Sequence, residues 1–241
     1  MRSRLFFVVA AAVMSFAGQS HAQSSGDNLA GGLVAGDYLR LSGGAATTVN
    51  PQGSLQDWSR GKNVNFSWEN WQNGGSGVGR LGLALSVSYS MLPLDEKKFL
   101  SDFTPISGGT ATSAKASDAG LIEVNTTLRF RIPAPLVMPT INLGVGFLNW
   151  RPAGIDYTST TGSGRAKQQT RSGGALSIGG GLERNIFDRY GLFAEAMYSY
   201  GFTSLGQGSV TPGGVCSTNS CDALKNTSIA VVRGGLSVRI R

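Results

Sequence analysis

The stretch "YGLFAEAMYSYGF", residues 190–202, decides the fold. Taken every second residue, Leu192, Ala194, Ala196, Tyr198, Tyr200 and Phe202 form one face. Gly191, Phe193, Glu195, Met197, Ser199 and Gly201 form the other. Strict alternation over this length marks a strand whose two faces meet different surroundings. One face is apolar and ends in aromatics, while the other is small and mixed, with a carboxylate at its centre. A chain that keeps a Glu there needs somewhere to put it, away from the medium that the apolar face meets.

The same alternation recurs along the chain, at about 37–47, 62–71, 78–91, 121–132, 140–150, 174–185 and 228–241. In "VGRLGLALSVSYSM" the residues Leu81, Leu83, Leu85, Val87, Tyr89 and Met91 alternate with Gly, Ala and Ser. The connections alternate between short turns and long polar loops, the long ones including 92–119, 152–172 and 204–227. No segment past the N-terminal leader has the roughly 18 continuous apolar residues of a membrane helix. Eight strands of membrane-crossing length, joined alternately by short and long connections, predict an all-β fold. It is an eight-stranded antiparallel up-and-down transmembrane β-barrel, closed so that no strand edge meets lipid.

On that reading the apolar face of 190–202 meets lipid. Tyr198, Tyr200 and Phe202 belong to an aromatic girdle at the outer rim, and Phe187 and Tyr190 to one at the inner rim. Glu195 points into the lumen, because a charge facing mid-membrane lipid costs about 2–4 kcal/mol for Arg or Lys. The other strand charges obey the same parity: Glu123 and Arg129 oppose the Ile122–Ile132 row, Glu183 opposes Leu182, and Arg233 and Arg239 oppose Val232 and Val238. These residues predict a lumen ion-pair cluster of Glu195, Glu183, Arg233 and Arg239, with Glu123 and Arg129 across the barrel. Charges buried singly would be far costlier than charges buried in pairs. The cluster reads as a polar plug, with a gated proton or ion path as the alternative. Trp58, Trp68, Trp71 and Trp150 are expected to anchor the membrane interfaces. The segment "LDEKKFLSDFTP" is expected to form a short amphipathic helix over the barrel mouth.

The ends of the chain set the compartment. Arg2 and Arg4 precede an apolar run from Leu5, and the small residues Ser20 and Ala22 precede Gln23. This predicts a secretory signal peptide over 1–22, a short extension over 23–36 and the barrel over 37–241. Loss of Arg2 and Arg4 would lower the formal charge from +7 to +5. The remaining basic residues are scattered, which predicts no nucleic-acid partner. Cys216 and Cys221, in a Gly/Ser/Asn loop of an exported chain, predict a local disulfide. Two thiols without a His fall short of a zinc site.

The single His is His21, inside the leader, so the exported chain carries no imidazole for general-base work. No cofactor is implied, and the chain reads as no enzyme. "GVGRLG" at 77–82 matches Gly-x-Gly-x-x-Gly, but it leads into a strand where the dinucleotide fold needs a helix.

The alternation, the leader, "LFAEAMYSYGF" and the terminal "GGLSVRIR" resemble the small OmpA-like and OmpW-like outer-membrane barrels of the porin family. The resemblance implies a barrel in the cell outer membrane without a periplasmic domain. Its partners would be outer-membrane lipid and lipopolysaccharide, the outer-membrane assembly machinery, and a surface ligand at loops 92–119 and 204–227. The Glu of the family's Leu-Phe-x-Glu-x-x-Tyr run corresponds to Glu195. The chain departs from the family by ending in Ile240-Arg241 where an aromatic is usual, and by Met197 where Arg is common. An envelope-structural or surface-contact role is expected. Passive passage of small hydrophobic or amphipathic solutes is the alternative, ahead of a His-free enzyme or a soluble lipid-binding barrel.

Overall fold

The computed structural model describes residues 35–49, 57–72, 80–103, 105, 108–134, 136–166, 170–187, 189–202 and 226–240. Eight long strands close into one antiparallel barrel: β1 (Gly36–Thr48), β2 (Gly61–Trp71), β3 (Arg80–Leu92), β5 (Ala119–Arg131), β6 (Met138–Arg151), β9 (Arg171–Phe187), β10 (Tyr190–Phe202) and β11 (Asn226–Arg239). Each pairs with its sequence neighbour in the barrel, and β1 closes the ring against β11 from Tyr38 opposite Arg239 to Thr48 opposite Ile229. Closure leaves no ladder edge, so every strand has a neighbour on both sides. The only register shift in the wall lies between Tyr190 and Gly191, beside the tight turn from β9.

The two faces of the wall separate cleanly. β10 alternates exposed and buried along almost its whole length, with Glu195 and Met197 buried and Leu192, Ala194 and Tyr198 exposed. Leu41, Leu143, Ile178 and Val232 on other strands are each more than half exposed, although each is a large apolar side chain. A continuous apolar belt of this kind is the lipid-facing wall of a membrane barrel and no surface for water. Inside, the strands present Ser, Asn, Thr, Glu and Arg, nearly all buried.

Three further strands stand outside the barrel, where loops were expected. β4 (Ala111–Lys115), β7 (Ile155–Ser159) and β8 (Gly162–Ala166) form a separate antiparallel sheet in the order β4-β7-β8. The helix α1 (Glu96–Asp102) lies at the expected amphipathic segment, with Asp95 capping its first turn. These pieces are too short to read by periodicity, and their stability comes from the apolar core beneath them. That core joins Trp58, Phe99, Ile155 and Tyr157 of the cap to Leu121, Leu148, Trp150 and Ile229 of the barrel rim. All of it lies at the end carrying the long connections, which is the outer face of such barrels.

Candidate functional site

The lumen is built from alternate residues of all eight strands, and five of its charges run in one chain. Arg40 Nη1 donates to Glu69 Oε1 at 2.7 Å, and Arg129 Nη1 stands 3.0 Å from the same oxygen. Arg129 Nη2 reaches Glu195 Oε2 at 3.2 Å, and Arg233 Nε donates to Glu195 Oε1 at 2.5 Å. The sequence Arg40–Glu69–Arg129–Glu195–Arg233 thus alternates in sign across the barrel. A separate pair lies nearer the short-turn end: Arg131 Nη2 donates to Glu183 Oε2 at 2.7 Å, and Ser237 donates to the other oxygen of Glu183 at 3.3 Å. Glu123 accepts from the Asn125 amide at 2.7 Å.

Register explains the strongest pair. Glu195 lies directly opposite Arg233 on β11, so the two share a face at close range. Gly181 lies opposite Glu195 on the other side, and a Cβ there would come 2.9 Å from the Glu195 Cβ. Glycine at 181 therefore makes the room in which the carboxylate sits. The run of Gly179, Gly180 and Gly181 holds unbroken register, so it is a packing device and no bulge.

The buried inward-facing charges among the described residues are Arg40, Arg129, Arg131 and Arg233 against Glu69, Glu123, Glu183 and Glu195. Their formal charges cancel. Such a set is tolerated in a dry interior because each ion is paired or hydrogen-bonded; removing one partner of a buried pair typically costs about 3–5 kcal/mol. Aromatic rings hold the guanidinium groups in place: Arg40 lies 3.4 Å over the Phe193 ring and Arg131 3.6 Å over the Trp71 ring. Trp71 also donates Nε1–H to Glu69 at 2.9 Å.

The pairing differs from the expected one in three respects. Arg129 reaches across the barrel and bridges Glu195 and Glu69, whereas Glu123 meets the Asn125 amide and no arginine. Glu183 takes Arg131, while Arg239 is half-buried at the rim, opposite Tyr38 of β1. Arg40, Glu69 and Arg131, the members that reading the chain left out, carry the same parity signal as the rest: each sits in its strand's inward register. What parity does not give is which inward charge meets which, because long side chains cross the lumen between strands that share no ladder.

The tryptophans also part company with expectation. Trp58 and Trp150 are buried in the cap core, ring centroids 6.0 Å apart and edge to face. Trp71 is buried in the lumen with Tyr38 and Met138, and Trp68 alone of the four sits in the outward register of its strand. An indole at a strand end fits a girdle or a plug equally well by composition; only the parity of position 71 and the closure of the mouth above 58 and 150 decide. Tyr198 and Phe202 at the outer end, and Phe187 and Tyr190 at the inner end, face outward and are 38–70% exposed; Tyr200 shares their face, half-buried. Cys216, Cys221 and the loop 204–225 lie outside the described residues.

Space is distributed unevenly. The lumen cavity bordered by Asn65, Glu123, Asn125, Arg129 and Arg233 measures about 10 Å3, room for about one water. On the cap, a cleft of about 790 Å3 opens to the outside between Glu96, Lys115, Asp156, Tyr157, Thr158 and Arg165. Among the described residues no group of three His, Cys, Asp or Glu could hold a metal ion. An apolar outer belt, a charged and filled interior and all-round strand pairing leave one medium for the wall. The chain is an outer-membrane β-barrel.

No family model matches the chain, and no curated protein matches it in sequence. Solved structures to which it is similar include Neisserial surface protein A, at 12% identity and TM-score 0.43, over 85% of this chain and 97% of that one. Ail, the attachment invasion locus protein of Yersinia pestis, matches at 16% identity and TM-score 0.41, over 84% and 99%. The outer membrane enzyme PagL matches at 11% identity and TM-score 0.38, over 85% and 99%. Likeness at this level carries no inference about activity.

Proposed function

We propose that this barrel is a non-enzymatic envelope protein whose working surface is its outer cap. The observation that carries the reading is the contrast in space: the mid-lumen cavity beside Glu123, Arg129 and Arg233 holds about 10 Å3, whereas the cap presents a cleft of about 790 Å3 to the outside. A lumen of eight strands is just filled by side chains, and here the filling is ion-paired in the middle and apolar beneath the cap. The cleft is lined by hydroxyls, an aromatic ring and charges of both signs, including an Arg165–Asp156 pair at 3.5 Å. Such a lining suits a polar partner at the cell surface, with outer-leaflet lipid and lipopolysaccharide surrounding the wall.

Passage of small solutes is the rival reading. It needs a dry lumen pocket or a gap in the wall, and the eight strands pair continuously around the ring. The deciding experiment combines two readouts on the full chain. Purified protein in planar bilayers is expected to give no steady conductance, and cells carrying it are expected to gain binding to surfaces or polymers that Lys115→Glu and Arg165→Glu reduce together. Steady solute flux through the wild type, with surface binding unchanged by the two cap variants, would overturn the reading.

A further inference from the structure

Beneath the paired charges of the interior, two arginines stand side by side at the short-turn mouth of the barrel. Arg80 opens β3 and lies directly opposite Arg131 of β5 in the register. Both occupy the lumen-facing positions of their strands, so two guanidinium groups stand across one ladder. Like charges directly opposite each other destabilise a strand pair. The carboxylate paired with Arg131 is Glu183, which binds Arg131 Nη2 and the Ser237 hydroxyl. Arg80 has no ion-pair partner among the described residues, and its Nη1 is buried without a hydrogen-bond partner.

Arg131 is likewise incompletely used. Its side chain is almost wholly buried, yet Nε and Nη1 have no hydrogen-bond partner. Its guanidinium carbon lies 3.6 Å over the buried Trp71 ring, which holds it at the mouth. The arrangement sets two like charges across one ladder and leaves buried N–H donors of both without a protein acceptor. Guanidinium forks match the oxygens of phosphate and carboxylate groups, and an oxyanion held by both would satisfy their free N–H donors.

We propose that Arg80 and Arg131, at the periplasmic mouth, form an oxyanion-binding site that takes a phosphate or phosphate-like group between their guanidinium forks. The chemistry is shared by free phosphate and by the head group of an anionic inner-leaflet phospholipid. The test uses the refolded full chain and follows its unfolding temperature by the heat-dependent shift in gel mobility.

In zwitterionic micelles at constant ionic strength, inorganic phosphate replacing chloride is expected to raise that temperature saturably. The rise should be about 3 °C or more at ten times the dissociation constant. Arg80→Gln is expected to abolish the phosphate effect while raising the unfolding temperature in chloride, because it removes the repulsion. A merely structural arginine would lower it. A second arm places the chain in vesicles with or without phosphatidylglycerol, free of phosphate. Stabilisation there alone, lost in Arg80→Gln, assigns the anion to lipid. The proposal is overturned if neither phosphate nor phosphatidylglycerol stabilises the wild type, if Arg80→Gln keeps the full effect, or if Arg80→Gln fails to fold.

Discussion

At the residue scale, the lumen works by compensation. Glu195 holds two arginines, Arg129 at 3.2 Å and Arg233 at 2.5 Å, as Glu69 holds Arg40 and Arg129, so its loss leaves Arg233 without a carboxylate. Glu195→Gln keeps the shape and removes the charge; it is expected to destabilise the barrel by about 3–5 kcal/mol, read as a lower urea midpoint in vesicles. An unchanged midpoint would mean that water reaches Arg129 and Arg233. Size is equally constrained at Gly82, which underlies the Trp71 ring: a Cβ there would come 2.7 Å from two of its ring carbons. Gly82→Ala is expected to cost about 1–3 kcal/mol by overpacking, and less when combined with Trp71→Phe. Equal losses in the single and double variants would show that the ring is not what fills that space. The inward direction of Glu195 is legible from its neighbours in the chain. The plug role of Trp71 is not, since its indole could equally have turned to the membrane interface.

At the scale of elements, barrel and cap are different kinds of structure. Barrel strands are long, alternate strictly and announce themselves. The cap strands have five residues each, a length at which alternation cannot be told from chance, and α1 has seven. They are held by a few contacts between loops far apart in sequence: Phe103 stacks on Phe99 at 4.6 Å and meets Tyr157 edge-on at 4.7 Å. The Ala114 amide also donates to Glu96 at 3.0 Å, tying β4 to the helix. Phe103→Ala is therefore expected to make segments 93–118 and 152–170 sensitive to protease while the barrel still shifts on heating. Simultaneous loss of both properties would mean that barrel and cap fold as one unit. The helix is legible in the chain and the sheet is not, because the pairing of β4 with β7 joins segments some forty residues apart, across two barrel strands.

At the scale of the whole molecule, stability follows from closure and from the medium outside. The wall exposes an apolar belt that water would not tolerate, and the lumen holds charges that lipid would not tolerate. Leu143→Arg, on the outer face near mid-wall, is expected to cost about 2–4 kcal/mol in vesicle unfolding. An effect near zero would place that position at a water interface instead. Taken by itself, the sequence determined the barrel: strand number, inward and outward faces, and the inward direction of Glu123, Arg129, Glu183, Glu195 and Arg233. It could do so because period-2 alternation is a local property, written along each strand. Only the tertiary structure decided that Arg129 bridges Glu69 and Glu195, that Trp58 and Trp150 seal the mouth, and that Arg80 faces Arg131. Those depend on register and on side chains meeting across the lumen, which no single strand records.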